Sequence, residues 1–378
     1  MNPSITSKRI VWLYDGDHWL HPFISAGVKS LMNAGYWVCV VDRASTYKDE
    51  KISYKHISSA VLSDNPAPLV RNFSGVFTFW RTLWFTLVQR PNIVIATHPS
   101  NLIVAWLAAK MLRPRLVYYP YEVYGEQYGE VRWVWKHVER YVLKTGIDAL
   151  ITQNQPRSQI YVEERASRVS PTIVHNYKPA RLARHSGKLY EKLNLPRDCM
   201  VVLYEGSLIE GRCLDRLVKS AAYLPVNSKL VFMGRVTKWW RKNIEPLLSE
   251  PLLSQRIILA PAVPHDEVLD YVADADVGVI IYDGEVRNNY YCEPGKLSDY
   301  VLAGVPIVAP GFPTISPLVE EYGIGCVFDN LDPVAIAQTV SFVLSVPKET
   351  WALALDRAKK SLIWETQEAT FIKSVCGE

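Results

Sequence analysis

Cysteine is scarce in this chain and follows no metal-binding or disulfide pattern. The 378 residues contain six cysteines, scattered without a CxxC pair. Structural zinc sites place their Cys and His ligands at short, fixed spacings, so this distribution argues against one. Isolated thiols are typical of the reducing cytosol, and we therefore expect the cysteines to be reduced.

Long apolar runs are also missing. Residues 1–10 lead directly into a strand and lack the apolar segment of a secretory signal. Residues 70–90 are apolar and aromatic, but Arg81 interrupts them, and the uninterrupted length is below the roughly 18 residues that a membrane-spanning helix needs. We expect no export and a cytoplasmic location, with the inner face of the cell membrane as the alternative.

Charge of one sign is in excess only locally. The net charge is +4, but residues 1–176 hold 20 Lys and Arg against 13 Asp and Glu, while the remainder is slightly acidic. The aromatic and basic segments 70–90 and 132–144 predict peripheral contact with an anionic membrane, and the alternatives are a helix buried against a sheet and a solvated helix face. We expect no nucleic-acid partner.

The order of apolar segments predicts the fold class. With 49% hydrophobic and 21% charged residues and no low-complexity tract, the chain is long enough for two α/β domains. A strand at 10–14, a helix at 22–33 ending before Gly35 and a strand at 37–41 form a βαβ opening. Further strands are predicted at 93–96, 116–119, 149–152, 200–204, 229–233, 256–259, 277–281, 307–309 and 326–328. Such alternation indicates parallel, doubly wound, Rossmann-like sheets.

The domain boundaries follow from the same pattern. We predict an N-terminal domain over residues 1–178, a basic connector over 179–198 and a C-terminal domain over 199–347. Residues 348–378 are predicted to contain an amphipathic helix, about Lys348 to Ser374, that returns to the first domain.

The most informative segment runs from Tyr290 to Ala309. It reads as a polar loop, a short helix carrying Lys296 and Asp299, a stop at Gly304 and a buried strand. A helix that begins below a cleft offers unpaired N–H groups and a positive dipole end to an anion. A carboxylate one turn further on can accept hydrogen bonds from a sugar diol.

Two earlier segments add to this pattern. At 202–217 a strand runs into Gly206, where the backbone can approach a ligand closely, and Arg212 can place its guanidinium on a diphosphate. Taken alone, a glycine after a strand and an arginine before a helix are common. The third segment, 264–282, carries Ala-Asp-Val-Gly, in which Asp276 is most simply a structural cap.

These three segments, in this order, resemble the donor site of GT-B glycosyltransferases, particularly the retaining glycosyltransferase family 4. The resemblance covers most of residues 200–330 and implies two Rossmann-like domains facing across a cleft. It implies that the N-terminal domain, 1–178, binds the acceptor and that the C-terminal domain, 199–347, binds the nucleotide sugar. Arg212 matches the lysine that binds the donor phosphate in the family, whereas Ser207 stands where the family often has arginine. The donor-binding residues implied are Gly206, Ser207, Arg212, Tyr282, Asn289, Pro294, Gly295, Lys296, Leu297 and Asp299.

One departure from the family concerns the sugar-contacting acid. Many members carry two glutamates eight positions apart, and here Tyr291 occupies the first position and Asp299 the second. Glu293 can replace the missing acid from two residues away. The implied catalytic residues are Glu122, Arg212, Lys296 and Glu293.

The first half resembles the family more loosely. The run Tyr-Tyr-Pro-Tyr-Glu-Val at 118–123 is similar to a strand that ends in His-Glu-Leu, with Tyr121 in place of the histidine. Glu122 is then expected to face the acceptor or the donor sugar, and a surface or cap carboxylate is the alternative. The predicted acceptor-binding residues, which follow strand ends, are Asp15, His18, His98 and Glu122. A structural role is the alternative for His98.

The resemblance implies transfer of a hexose-type sugar from a nucleoside diphosphate sugar to a hydroxyl of a glycan or lipid-linked glycan. Retention at the anomeric carbon and a role in bacterial-type surface polysaccharide assembly are implied with it. We expect no cofactor and no metal, and read Asp15-Gly16-Asp17 as a turn rather than a metal-binding element. The alternatives are a nucleotide-sugar epimerase of the same fold and a catalytically inactive partner protein.

Overall fold

The computed structural model describes residues 8–15, 22–42, 53–56, 68–126, 133–264 and 266–377, with the backbone alone at 53–56 and 68–74. The chain divides into two compact units. The first unit comprises Met1–His175 and Trp364–Glu378, and the second comprises Asn176–Ile363. His18, one of the predicted acceptor-binding residues, lies outside the described residues.

A parallel sheet forms the centre of the first unit. Within the described residues it has seven strands in the order β3-β2-β1-β4-β5-β6-β7. The strands are β1 (Arg9–Leu13), β2 (Trp37–Asp42), β3 (Ser53–His56), β4 (Ile93–Ala96), β5 (Arg115–Tyr118), β6 (Ala149–Thr152) and β7 (Thr172–Ile173). The helices are α1 (Pro22–Asn33), α2 (Pro68–Gln89), α3 (Pro99–Leu112), α4 (Trp133–Thr145) and α5 (Gln155–Gln159). Residues 10–13 and 93–96 are fully apolar and buried, as strands covered on both faces require.

The second unit repeats this architecture. Over its described residues the sheet has six parallel strands in the order β10-β9-β8-β11-β12-β13. The strands are β8 (Met200–Glu205), β9 (Ser228–Met233), β10 (Ile257–Ala260), β11 (Val277–Val279), β12 (Ile307–Pro310) and β13 (Gly325–Phe328). The helices are α6 (Lys188–Leu193), α7 (Leu214–Ser220), α8 (Lys238–Asn243), α9 (Pro251–Arg256), α10 (Val268–Val272), α11 (Arg287–Tyr290), α12 (Gly295–Ala303), α13 (Ser316–Tyr322), α14 (Pro333–Ser345) and α15 (Lys348–Ser361). The predicted doubly wound parallel sheets are confirmed.

The C-terminal segment differs from the prediction. The single helix expected over 348–374 is two helices, α15 and α16 (Glu368–Cys376), separated by a short turn of 3-10 helix. The two helices serve different cores: Leu355 and Ala358 are buried in the second unit, whereas Phe371 stacks on Trp12 of the first unit at 6.0 Å between ring centroids. The return to the first unit therefore begins at Trp364, not at residue 348.

The predicted connector, 179–198, is part of the second unit rather than a separate linker. The Asp274 carboxylate accepts hydrogen bonds from the backbone N–H groups of Gly187 and Leu189, at 2.9 and 3.0 Å. Leu189 is buried in the core of this unit. Because these contacts reach far along the sequence, the basic composition of the segment did not reveal them.

Helix α2 has one buried side and one exposed side. Leu83 and Thr86 are buried, while Trp80 and Trp84 are 60% and 66% exposed. On α4, Trp133 and Tyr141 are exposed as well. Within the described part of the chain, no helix has both the length and the apolar character needed to cross a membrane.

Candidate functional site

The second unit places its candidate residues where the sheet reverses its strand order. β8 and β11 are neighbours in the sheet, and the chain proceeds from them toward opposite edges. Ligands of doubly wound sheets bind at the carboxyl ends of strands at such a point. Gly206 directly follows β8, and Tyr282 comes shortly after β11.

Tyr300 fixes α12 against these strand ends. Its hydroxyl accepts a hydrogen bond from the backbone N–H of Glu205 at 3.2 Å and lies 3.0 Å from the carbonyl oxygen of Leu203, to which it can donate. The ring packs so closely on Gly278 that a Cβ there would lie 2.4 Å from it. The N-cap, Pro294, provides no side-chain hydrogen bond, so the first N–H groups of α12 are left without a capping side chain.

Lys296, in the first turn of α12, is the most unusual side chain of the site. It is only 8% exposed, yet among the described residues its ammonium donates no hydrogen bond. Instead it lies 3.7 Å from the ring centroid of Tyr204 and 5.3 Å from that of Tyr282. Burial lowers the pKa of Lys296, and Arg212 acts in the same direction, while Glu205 raises it. An ammonium in this position is disposed to bind an anion.

Arg212 lies on the other side of Tyr282. Its guanidinium carbon is 4.3 Å from the centroid of that ring, and its Nη1 is 3.5 Å from Oδ1 of Asn289. The amide of Asn289 in turn donates to the carbonyl oxygen of Gly211 at 3.2 Å. The structure thus brings the predicted residues Arg212, Tyr282, Asn289 and Lys296 together. Gly206 lies beside them, with φ +122° and a Cβ position 3.7 Å from the Lys296 ammonium.

Two further charged groups, missed in the sequence, complete what we call the charged cluster: Lys178, Glu205, Arg212, Lys296 and Asp299. Asp299 is buried and forms an ion pair with Lys178. Its carboxylate was expected to accept hydrogen bonds from a sugar diol, but the structure places it against a lysine of its own chain. Burial raises the pKa of the half-buried Glu205, and Asp299 raises it further.

The other predicted donor residues surround α12. Leu297 is buried in the core, and Ser207 is exposed. Glu293 is held by Asn176, whose backbone N–H donates to its carboxylate at 3.0 Å and whose amide donates to its carbonyl oxygen at 2.8 Å. The Tyr291 ring lies 5.0 Å from that of Tyr290. The segment 176–178 therefore contacts two acids: Glu293, just before α12, and Asp299, within it.

In the first unit, Asp15 and His98 lie together at the ends of β1 and β4. His98 Nδ1 is 3.4 Å from the Asp15 carboxylate. The same nitrogen accepts a hydrogen bond from the backbone N–H of Ser100 at 3.1 Å and caps α3. Since a nitrogen that accepts this bond carries no proton, we read the Asp15 contact as a polar neighbour and not as an ion pair. His98 thus caps α3 through Nδ1, and its contact with an acceptor stays a prediction.

Glu122 lies on a loop held by buried groups. Its side chain is 30% exposed and lies 3.8 Å from the Arg157 guanidinium, and its carbonyl oxygen accepts a hydrogen bond from Tyr161 at 3.2 Å. Arg157 also donates to the carbonyl oxygen of Tyr121 at 2.5 Å. These contacts fix the loop and leave part of the carboxylate open.

The sequence predicts no metal site. Over the parts of the chain that the structure describes, no group of three or more His, Cys, Asp or Glu side chains is placed to hold a metal ion. Of the Asp15-Gly16-Asp17 turn only Asp15 is described. The independence from metal stays a prediction.

Comparison with known proteins reveals the fold. No protein-family model and no curated sequence matches the chain. Among solved structures, sucrose-phosphate synthase from Thermosynechococcus elongatus superposes with a TM-score of 0.79 at 16% identity, covering 96% of this chain and 97% of that one. HepE of Anabaena, solved with UDP and glucose, gives 0.79 at 13% identity, covering 98% and 100%. WaaG, a glycosyltransferase involved in lipopolysaccharide biosynthesis, gives 0.71 at 13% identity, covering 98% and 100%.

The chain has the GT-B fold. At these identities the likeness concerns the fold and does not carry over an activity.

The residues that sequence reasoning missed differ in how they could have been found. Glu205 is the last residue of the otherwise apolar strand Met200–Glu205 and directly precedes Gly206. A charged residue at the carboxyl end of a strand, where ligands bind, could therefore have been recognised in the sequence. Lys178 gave no such signal, because its partner Asp299 is 121 positions away.

Proposed function

We propose that the chain is a glycosyltransferase that takes a hexose-type sugar from a nucleoside diphosphate sugar bound in its second unit. The observation that carries the proposal is the Lys296 ammonium, 8% exposed and without a hydrogen-bond acceptor among the described residues. An unpaired buried charge is costly to the folded chain, and an anionic ligand offsets that cost. The GT-B fold supports a nucleotide sugar as the source of the anion.

The chemistry requires stabilisation of the leaving diphosphate. Negative charge accumulates on it as the glycosidic bond breaks, and fixed positive groups in a site of low dielectric stabilise that charge well. Lys296 and Arg212 supply side-chain donors, and the uncapped start of α12 at Gly295 supplies backbone N–H groups. The backbone N–H of Gly206 already donates to the Met233 carbonyl oxygen at 3.0 Å, so Gly206 contributes close approach of the backbone rather than a donor. We expect these groups to suffice without a metal ion.

The acceptor is assigned to the first unit. Glu122, partly exposed on its fixed loop, is the carboxylate we propose to orient an acceptor hydroxyl. Asp15, shortly after β1, is proposed to contact the acceptor as well. Retention at the anomeric carbon and a glycan or lipid-linked acceptor in surface polysaccharide assembly are proposed with it. The fold likeness to WaaG supports this choice of acceptor class.

The test is ligand-dependent thermal stability. UDP-glucose, GDP-mannose and ADP-glucose are screened against the wild-type chain, and a donor at 100 times its Kd adds about 2.7 kcal/mol of stability. In Lys296→Met we expect the stabilisation at the same ligand concentration to fall to about 0.4 to 1.4 kcal/mol, since losing one charge-assisted contact weakens binding roughly 10- to 100-fold. The ligand-free variant is expected to melt higher than wild type, because an uncompensated buried charge has been removed.

The matched control is Lys219→Met, which removes an exposed lysine from α7 in the same unit. Its melting temperatures, with and without the donor, should equal those of the wild type. Absence of any shift in the wild type would contradict the proposal and favour a catalytically inactive partner protein. Isomerisation of the donor in the absence of an acceptor would favour an epimerase.

Peripheral contact with an anionic membrane at the inner face of the cell membrane is a second part of the proposal. Its support is the exposure of Trp80 and Trp84 on α2 and Trp133 on α4, with Arg81 stacked 5.3 Å from the Phe77 ring centroid. Exposed aromatic and basic side chains suit the headgroup region of anionic lipid.

Sedimentation with vesicles of phosphatidylglycerol and of phosphatidylcholine tests this contact. We expect binding to the anionic vesicles, reduced by the double change Trp80→Ser and Trp84→Ser. The control is Leu182→Ser, which removes an exposed apolar side chain from the second unit. Equal sedimentation of the double variant and the wild type would contradict the assignment.

A further inference from the structure

Three carboxylates surround the beginning of α12, and two of them are already engaged. Glu293 accepts a hydrogen bond from the backbone N–H of Asn176 at 3.0 Å. Asp299 is buried and ion-paired with Lys178. Each of these two carboxylates therefore has a charged or N–H partner within the chain.

Glu205 is different. Its backbone N–H is tied to the Tyr300 hydroxyl at 3.2 Å, so a rigid strand and a buried tyrosine fix the position of the residue. Yet among the described residues its carboxylate accepts no hydrogen bond and forms no ion pair within 4.0 Å. It is half-buried and directly precedes Gly206, whose Cβ position lies 3.7 Å from the Lys296 ammonium.

The environment of this carboxylate is unfavourable without a ligand. Burial raises the pKa of Glu205, and the nearby Asp299 adds to the rise, while Lys178 and Lys296 only partly offset it. Hydrogen bonds from hydroxyl groups would stabilise the charged form, because a carboxylate provides acceptor sites on both oxygens. The ligand that Lys296 is proposed to bind, a nucleoside diphosphate sugar, carries such hydroxyls next to its diphosphate.

We propose that Glu205, and not Asp299, is the carboxylate that accepts hydrogen bonds from the vicinal hydroxyls of the donor. Asp299 then acts through Lys178: it holds that ammonium at the start of α12, where Lys178 Cε lies 3.5 Å from the Cβ position of Gly295. This inference rests on the proposed donor site. The hydroxyls belong to the ribose or to the transferred sugar, and probes with and without each group distinguish the two.

Calorimetric titration with three probes tests the assignment. Inorganic pyrophosphate carries the charge without hydroxyls. The second probe is whichever of UDP, GDP and ADP stabilises the wild-type chain most, and the third is the corresponding nucleotide sugar. In Glu205→Gln we expect affinity to fall roughly 10- to 100-fold for the hydroxyl-bearing probes and not for pyrophosphate. A loss already seen with the nucleoside diphosphate assigns the contact to ribose, and a loss confined to the nucleotide sugar assigns it to the transferred sugar.

Asp299→Asn is expected to change the affinity for all three probes by the same factor, since its effect comes through the charge of Lys178. Glu210→Gln, which removes one negative charge from the exposed loop after Gly206, controls for net charge. Glu205→Asp, which keeps the charge and shortens its reach, should reproduce the hydroxyl-selective loss with an unchanged melting temperature.

Two results would overturn the inference while leaving the proposed function intact. One is a Glu205→Gln variant whose affinities for the hydroxyl-bearing probes match those of the wild type. The other is a hydroxyl-selective loss in Asp299→Asn. A wild-type chain that binds none of the nucleoside diphosphates would instead remove the proposed function, and the inference with it.

Discussion

The two units contain similar sheets but treat their buried charges differently. In the first unit, Glu139 is fully buried and receives hydrogen bonds from Tyr118 at 2.5 Å and from Arg165 at 3.1 Å. In the second unit, Lys296 is almost as deeply buried and, over the described residues, donates no hydrogen bond. A buried ionisable group with hydrogen-bond partners belongs to a structural network, whereas one without them indicates a ligand. The difference between the units therefore separates a structural network from a binding site.

The largest expected effect comes from Arg212, the second cation of the charged cluster. Arg212→Ala should lower kcat by roughly 100- to 1,000-fold, as removal of one oxyanion-stabilising donor does. Steady-state kinetics with the donor identified by thermal shift measures it. The control is Arg216→Ala, which removes an arginine of α7 whose side chain is 52% exposed. Undiminished turnover of Arg212→Ala would remove this residue from the site and weaken the contrast between the units.

The next effect concerns stability and tests how α12 is positioned. Gly278→Ala would place a methyl group 2.4 to 2.6 Å from three atoms of the Tyr300 ring, in a strand with little room to move. We expect a loss of roughly 1 to 3 kcal/mol in the free energy of unfolding, together with weaker donor binding, because Tyr300 also fixes Glu205. Urea denaturation and calorimetry measure the two effects.

Gly75→Ala is the matched control in the first unit. Gly75 lies within α2, and among the described residues no heavy atom outside its chain neighbours and the nearby helix backbone lies within 4 Å of its Cβ position. Alanine there should raise stability by roughly 0.5 to 1 kcal/mol through helix propensity. If Gly278→Ala were as well tolerated, the close contact between Tyr300 and β11 would not be what positions α12.

Local sequence patterns predicted most of the fold and some of the residues of the candidate site. The helix Pro22–Asn33 was predicted with these bounds, because an apolar face begins after a proline and ends before Gly35. Gly206, Arg212 and Lys296 were predicted because turn glycines and cations at helix starts are local signals. The ion pair between Lys178 and Asp299 was not, because it joins two distant segments whose approach depends on the packed sheet. The division of 348–374 into two helices was missed for a similar reason: both halves are amphipathic, but they pack in different units.

The last prediction concerns the first unit: the free energy of unfolding should depend on pH through the buried Glu139. Burial raises the pKa of Glu139 from 4.5 to about 7, and the hydrogen bonds from Arg165 and the tyrosines only partly oppose the rise. A raised pKa means that the folded chain binds this proton more tightly than the unfolded chain does. Its stabilising contribution is complete below pH 4.5 and is lost as the pH rises to about 7.

Glu139→Gln resembles the protonated form at every pH, so its free energy of unfolding relative to wild type should increase over that range, by at most about 3 kcal/mol. Urea denaturation at pH 4.5, 6 and 8 measures the difference. The control is Glu164→Gln, an exposed glutamate whose carboxylate lies 3.9 Å from the same Arg165, and its difference from wild type should stay flat. If the Glu139→Gln difference were flat as well, Glu139 would be ionised throughout, held by Arg165, and the first unit would contain a buried ion pair in place of a neutral carboxyl.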